Sequence, residues 1–240
     1  MHEASLHTYN SWITLTYDKK HLPLDRSLNV GDFQKFMKRL RKRTGCPIRF
    51  YHCGEYGEIN WRPHYHACIF GFEFPDKTKW RTNKHGDQAY RSELLEDAWK
   101  LGASEIGALT EQSAAYTARY IMKKQNGEAA DMAYFDYFTG SIRQSPYTTM
   151  STRPGIGRGW IDKYISEVYP RDEVIVNGHQ ARPPKYYDAQ YKELDPDGYE
   201  KMKLKREEAG RDHADDNTPE RLAIKEEYLK AQTSTLSREL

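Results

Sequence analysis

The sequence predicts an α+β fold in which helices pack on one face of a central antiparallel sheet. Three observations lead there. Segments of alternating β-branched and aromatic residues are interspersed with segments whose apolar residues recur at helical spacing. Their order, strand–helix–strand–strand–helix, suggests an antiparallel sheet covered by helices. Finally, 240 residues with 38% hydrophobic content are enough for one sizeable core.

Each element has a local cause. Ser11-Trp12-Ile13-Thr14-Leu15-Thr16-Tyr17 alternates and is rich in β-formers, so it reads as a strand ended by His21-Leu22-Pro23. Asp32 is a plausible cap for a helix whose Phe33, Phe36, Met37 and Leu40 share one stripe. Gly45-Cys46-Pro47 stops that helix. Two strands follow, Ile48 to about Glu55 and His64 to about Phe72, joined by a hairpin loop running from Tyr56 to Pro63. A helix from Ser92 to Leu101 presents Leu94, Leu95, Ala98 and Trp99, and Ala103 to Leu109 reads as a short strand. A third helix spans about Glu111 to Lys124, closed by Asn126-Gly127. Arg153-Pro154-Gly155-Ile156-Gly157-Arg158-Gly159-Trp160 is a glycine-rich turn, followed by an amphipathic segment, Ile161 to Tyr169. From Pro183 the composition shifts to Lys, Glu, Asp and Tyr. The expected division is a domain over 1–182 and a charged tail over 183–240, with solvated helices interrupted at Gly210 and Pro219 or partial disorder.

Composition excludes several classes. Charged residues make up 30% of the chain, mean hydropathy is −0.94, and no apolar stretch approaches a membrane span. The start, Met1-His2-Glu3-Ala4, lacks the basic and apolar regions of a secretory signal. Cys46, Cys53 and Cys68 form no C-x-x-C pair, which argues against a disulfide framework or a cysteine-rich zinc module and fits a reducing compartment. Neither a dinucleotide fingerprint nor a Walker A motif is present, so ATP use is not expected. Net charge is only +2, yet seven basic residues (Lys35, Lys38, Arg39, Arg41, Lys42, Arg43 and Arg49) and no acid lie between Phe33 and Phe50. That run is either a solvated helix face or a phosphate-binding patch.

Two constellations carry chemistry. His64-Tyr65-His66 sends two imidazoles to the same face of a strand, about 7 Å apart along it, where both can reach one ion. A bare H-x-H is commonly accidental, but Glu55 lies on the partner strand. With Glu55 opposite His66, parity puts all three side chains on one face, with Glu58 in the loop as a second candidate carboxylate. Two imidazoles and a carboxylate suit Mn²⁺ or Mg²⁺ acting on a phosphate. The same register sets Cys53 opposite Cys68, where a thiolate would favour zinc instead. A histidine-triad hydrolase would need a third histidine at the position of Cys68, so that reading fails.

The second constellation is Tyr116-Thr117-Ala118-Arg119-Tyr120-Ile121-Met122-Lys123-Lys124. On a helix, Tyr116 and Tyr120 are i, i+4 neighbours and Lys123 joins their face. A nearby ammonium favours the phenolate form of a tyrosine, which is the stronger nucleophile. The bland reading is a helix packing two aromatics against a sheet.

Together these motifs resemble the HUH endonuclease superfamily, in which U is a bulky hydrophobic residue, and within it the replication initiators of microviruses, the gokushovirus branch in particular. The likeness rests on Ile13–Tyr17, Phe36–Lys42, Cys53–Glu58, Arg62-Pro63-His64-Tyr65-His66, Ala115–Lys124 and Arg153–Gly157, and covers roughly Ser11 to Tyr187. The resemblance implies a sheet of about five strands with a topology like that of an RNA-recognition motif, also described as ferredoxin-like. It implies a rolling-circle initiator that nicks the viral origin in single-stranded DNA and stays attached to the 5′ end through phosphotyrosine. By this likeness His64, His66 and Glu55 would bind the divalent metal, Tyr120 would be the nucleophile, Tyr116 its partner and Lys123 the phosphate-stabilising charge. Thr14 and Thr16 would border the site, and Lys35, Lys38, Arg39, Arg41 and Lys42 would grip DNA. Host helicase and polymerase would be needed to extend the nick, in the cytoplasm of a bacterial host, with no membrane partner. Family members generally carry a cysteine-containing segment ahead of this point. The chain starts almost at the first strand, which fits a truncated version of a longer protein. The reading from a different class is a non-catalytic single-stranded nucleic-acid-binding module, with the sheet as a stacking platform.

Overall fold

A computed structural model of the chain describes residues 1–57, 60–83, 86–119, 132–137, 139–169, 171–176 and 178–234. It divides into two compact units, Met1–Ile156 and Gly157–Glu239.

The first unit is α+β, as the sequence predicts. After a short helix α1 (His2–Ser5), its strands are β1 (Asn10–Tyr17), β2 (Arg49–Tyr56), β3 (Pro63–Phe70), β4 (Thr78–Thr82), β5 (Gln88–Arg91) and β6 (Gly102–Gly107). A small ribbon of β7 (Phe135–Asp136) and β8 (Ser141–Ile142) precedes β9 (Tyr147–Met150). Seven strands form one sheet in the order β4-β5-β6-β1-β3-β2-β9, with every neighbouring pair antiparallel. The sequence pattern reveals the central four, β6, β1, β3 and β2. The additions are edge elements: β4 is exposed along its whole length, so it carries no alternation of buried and exposed residues to read.

Helix α2 (Val30–Thr44) places Phe33, Phe36, Met37 and Leu40 in the core. Asn29 rather than Asp32 is its cap: the Asn29 side chain accepts from the Gly31 amide. Asp32 sits in the first turn and accepts from the Tyr17 hydroxyl at 2.8 Å. Gly45 ends the helix in the left-handed conformation, φ 66°. Helix α3 (Glu93–Trp99), capped by Ser92, joins α2 in the same core. There they meet Ile13, Leu15, Tyr17, Tyr65, Ala67 and Ile69, the inward residues of β1 and β3. Helix α4 (Glu111–Arg119) departs from the one-face expectation. Its Tyr116 packs with Trp12, Cys53, Cys68 and Phe70, whose positions alternate with the first core's along β1, β2 and β3. A period-two strand thus has an apolar cluster on each side, and the helices divide between them.

His52 belongs to the α2 side. It stacks on Phe33, centroids 3.5 Å apart, with Nδ1 2.8 Å from the Thr149 hydroxyl. Burial pushes its pKa from 6.5 to about 3, so the folded protein holds it neutral. The unfolded chain takes up a proton there that the folded chain refuses. Stability is therefore expected to fall as pH drops from about 6.5 towards 3, by at most about 1.4 kcal/mol per pH unit. Urea unfolding between pH about 6.5 and about 5 checks this: His52→Phe should flatten the slope, and an unchanged slope would refute the assignment.

The second unit has its own small core of Ile161, Val168, Tyr169, Val174, Tyr187 and Met202. These come from the helices Arg158–Val168, Lys185–Leu194 and Pro196–Arg211, and from β10 (Val174–Val176), which pairs with β11 (His179–Ala181). Arg206 is held between Asp172 and Asp188. The last helix, Pro219–Ser234, buries no residue among those described.

Candidate metal and tyrosine site

The face of the sheet turned towards α4 carries Thr14 and Thr16 from β1, Cys53 and Glu55 from β2, and His64 and His66 from β3. Pairing fixes their neighbours: Thr14 lies opposite His66 and Thr16 opposite His64, while on the other side Glu55 lies opposite His64 and Cys53 opposite His66. The expected pairing of Glu55 with His66, and of Cys53 with Cys68, is therefore displaced by two residues; Cys68 faces Tyr51 and Trp12 instead. The hairpin loop sets this. Gly57 donates its amide to the Arg62 carbonyl, Trp61 donates to that of Gly57, and Tyr56 pairs with Pro63, which keeps the turn longer than a four-residue closure. A shift of two preserves parity, so all three predicted ligands still share a face.

They converge on one point. Glu55 Oε1 is 2.9 Å from His64 Nε2 and 3.0 Å from His66 Nε2, and the three ligand atoms all lie within 4.8 Å of one another. Each imidazole is oriented by its other nitrogen: His64 Nδ1 is 3.1 Å from the Arg62 carbonyl and His66 Nδ1 is 3.0 Å from the Thr14 hydroxyl. A carbonyl only accepts, so His64 carries its proton on Nδ1. In the neutral ring the Nε2 lone pair then points at the Glu55 carboxylate. Two lone pairs facing each other is the arrangement of a ligand set, relieved by a cation between them.

The electrostatics agree. Burial lowers the His66 pKa, with Glu55 pulling the other way. For Glu55, burial pushes upward, but hydrogen bonds and charge from His64 and His66 outweigh it and hold the carboxyl below its usual range. A neutral imidazole beside an ionised carboxylate is the protonation state that metal binding requires. This buried group can hold a metal ion. The thiols are poorer candidates: burial drives Cys53 well above its ordinary value and Cys68 up to about 11, so both stay protonated.

Helix α4 is fastened beside this cluster. Thr110 and Ser113 exchange hydrogen bonds at its start. Trp12 Nε1 donates to the Thr117 hydroxyl at 2.9 Å, which donates in turn to the Ser113 carbonyl. The Trp12 indole stacks on His66, centroids 5.0 Å apart at 12°. The buried Tyr116 ring meets His66 edge-on at 5.1 Å and 88°. Tyr116 is thus beside the cluster, while Tyr120, Lys123 and Glu58 lie outside the described residues.

The basic run is elsewhere. Helix α2 covers the opposite face, so the structure does not bring Lys35, Lys38, Arg39, Arg41 or Lys42 together with the histidines. Arg39 donates to the Ala98 and Trp99 carbonyls and Arg41 to that of Ile48. Lys35 lies 3.6 Å from Asp32, and Lys35, Lys38 and Lys42 are exposed.

Sequence reasoning passed over Trp12, Thr117 and the Arg62 carbonyl. Trp12 had a signal: it is two residues before Thr14 on an alternating strand and so shares its face. Thr117 and the carbonyl had none, since both act through tertiary contacts. The Thr14 contact is testable. Thr14→Val should weaken divalent-ion binding about 10–100-fold, as losses of ligand-orienting partners do, with little change in urea midpoint. Calorimetric titration with Mn²⁺ checks it, and an unchanged affinity would show the hydroxyl to be dispensable.

Comparison with known proteins adds a second line. A model of the family described as replication-associated protein ORF2 matches residues 10–125. The chain is 36% identical over 221 residues to the replication-associated protein VP4 of Bdellovibrio phage phiMH2K, covering 86% of this chain and 67% of that protein. It is 32% identical over 192 residues to the replication-associated protein ORF2 of Spiroplasma virus 4, covering 75% and 57% of the two chains. It is 30% identical over 197 residues to the replication-associated protein ORF4 of Chlamydia phage 1, covering 77% and 46%. The chain thus spans between about half and two thirds of the length of these relatives. No solved structure matches it.

Proposed function

The chain belongs to the family of phage replication-associated proteins, and from that premise we propose that it initiates and terminates rolling-circle replication by nicking and rejoining single-stranded DNA at the viral origin. The observation that carries the reading is the convergence of Glu55, His64 and His66 on one point beside the tyrosine helix.

In this proposal Glu55, His64 and His66 hold Mn²⁺ or Mg²⁺, and the bound ion supplies Lewis-acid polarisation of the scissile phosphate. Thr14 and the Arg62 carbonyl fix the two rings so that both Nε2 atoms stay aimed inward. The hydroxyl oxygen of Tyr120 attacks phosphorus. The bond from phosphorus to the 3′ oxygen breaks, that oxygen leaves as the 3′-hydroxyl with a proton, and the 5′ phosphate remains esterified to tyrosine. Lys123 stabilises the developing charge. The ester conserves the bond energy, so a later 3′-hydroxyl can attack it and reseal the strand, with Tyr116 as the alternate nucleophile.

The same proposal assigns residues 1–182 to the endonuclease and 183–240 to a tail. It places the protein in the host cytoplasm and takes host helicase and polymerase as partners in synthesis. No helix among the described residues is long and apolar enough to cross a membrane.

The test uses circular single-stranded phage genome, or a randomised single-stranded pool, with Mn²⁺. After boiling in detergent, DNA should migrate with the protein, and EDTA should abolish the adduct. Tight binding of the same DNA without any adduct would instead identify a binding module.

A further inference from the structure

The face that carries Glu55, His64 and His66 continues across β1 and β6 towards the β4–β5 hairpin. There a cavity of about 210 Å³ opens between β5, β6 and the start of α4. At ~30 Å³ per water this is space for about seven waters, below the size of a drug-like site and suited to a single planar ring system. Trp12 lines it, and the same indole stacks on His66, so the cavity adjoins the metal cluster. Space beside the indole depends on Gly107, where a Cβ would come within 3.1 Å of the Trp12 ring.

The polar groups of the wall narrow the ligand. Arg81 Nη2 donates to Glu105 Oε2 at 2.9 Å, and both residues line the cavity. Their side chains are 57% and 30% exposed, so each reaches the opening without being drawn out of water. Parity agrees: Arg81 pairs with Ala89 on β5, and Glu105 lies opposite Thr14, on the cluster's side of the sheet. A carboxylate beside a guanidinium offers acceptors next to donors. Guanine presents the matching edge: N1–H and N2–H₂ donate to the carboxylate, and O6 accepts from the guanidinium. Thymine offers the carboxylate one donor and adenine offers none beside an acceptor for the arginine in that order.

We propose that this cavity seats one guanine base of the DNA strand lying next to the metal cluster. The proposal deepens the reading above, since it supposes that single-stranded DNA crosses this face. It gives sequence preference a physical source next to the site of cleavage, which phosphate contacts alone do not supply.

The test is fluorescence anisotropy of the full chain in EDTA. The probes are labelled oligothymidylates carrying a single guanine, adenine or inosine, the last lacking the N2 amino group. Guanine should bind about tenfold tighter than adenine, equivalent to about 1.4 kcal/mol, with inosine between. Glu105→Gln and Arg81→Met should each move the guanine-to-adenine ratio towards one; both side chains lie at the surface, so neither change disturbs the core. No preference in the unchanged protein, a preference kept in both variants, or no binding of any probe would overturn the proposal. Chelator prevents cleavage, so the outcome is independent of nicking. A guanine preference in a protein that forms no adduct with Mn²⁺ would leave the cavity assignment standing and remove the endonuclease reading, and nicking without the preference would do the reverse.

Discussion

Glu55→Gln should reduce Mn²⁺-dependent adduct formation by about a hundredfold or more. Lewis-acid stabilisation of a phosphoryl-transfer transition state is worth several kcal/mol, and each 1.36 kcal/mol is a factor of ten. The substitution keeps size and removes charge. Glu55 is buried, and its Oε1 is the atom on which both Nε2 groups converge. An amide there offers the ion a neutral oxygen, or turns an N–H towards two imidazole lone pairs. Single-stranded DNA binding in EDTA should change little, because the carboxylate faces its own histidines. Calorimetric loss of Mn²⁺ binding alongside lost adduct, with near-UV circular dichroism intact, is the expected pattern. Adduct yield within roughly threefold of the unchanged protein would remove the metal from the mechanism, since even an outer-shell partner is worth more than that.

The second large effect is at the tyrosines. Tyr120→Phe should lower covalent capture by about a thousandfold or more, as loss of a nucleophile does. Tyr116→Phe should spare first cleavage and impair the second transfer. The chemical difference is small in both variants, one oxygen each, so unfolding is not the expected cause. For Tyr116 the ring that packs edge-on against His66 and against Trp12 is retained. A gel assay on linear oligonucleotide reads the first cleavage, and circle closure on the phage genome reads the second. Undiminished adduct in the double phenylalanine variant would sink the assignment of tyrosine as nucleophile.

Much of the sheet and its cluster was legible from period two alone. Ile13, Leu15 and Tyr17 alternate with Trp12, Thr14 and Thr16, so the residue order of β1 already encodes two different faces. The same parity put Glu55, His64 and His66 together although their pairing was two residues out, because an even slip does not change faces. The register itself was not legible. It depends on how Gly57, Trp61 and Arg62 close the loop through backbone hydrogen bonds, which leave little trace in side-chain pattern. The β4–β5 hairpin was missed for a related reason. Thr78-Lys79-Trp80-Arg81-Thr82 is exposed throughout, and an edge strand without a buried face has no periodicity to detect.

The basic run shows the limit most clearly. Seven cations between Phe33 and Phe50 are visible in the sequence, but what each one does is a matter of what lies nearby. Arg39 and Arg41 are spent on backbone carbonyls of Ala98, Trp99 and Ile48, groups remote in sequence or in a different element. Charge count carries no direction; a fold supplies it.

The amino-acid sequence determined which residue types could do chemistry here, that the imidazoles and the carboxylate share one face, and that two tyrosines one helical turn apart follow them. Those are local properties, fixed by strand and helix periods. Tertiary structure alone decided that Glu55 lies across from His64, that α4 crosses to the face opposite α2, and that Trp12 ties the tyrosine helix to His66. Each of these depends on contacts between segments far apart in the chain, 105 residues in the case of Trp12 and Thr117, and such contacts are set by packing rather than by any repeat a sequence can display.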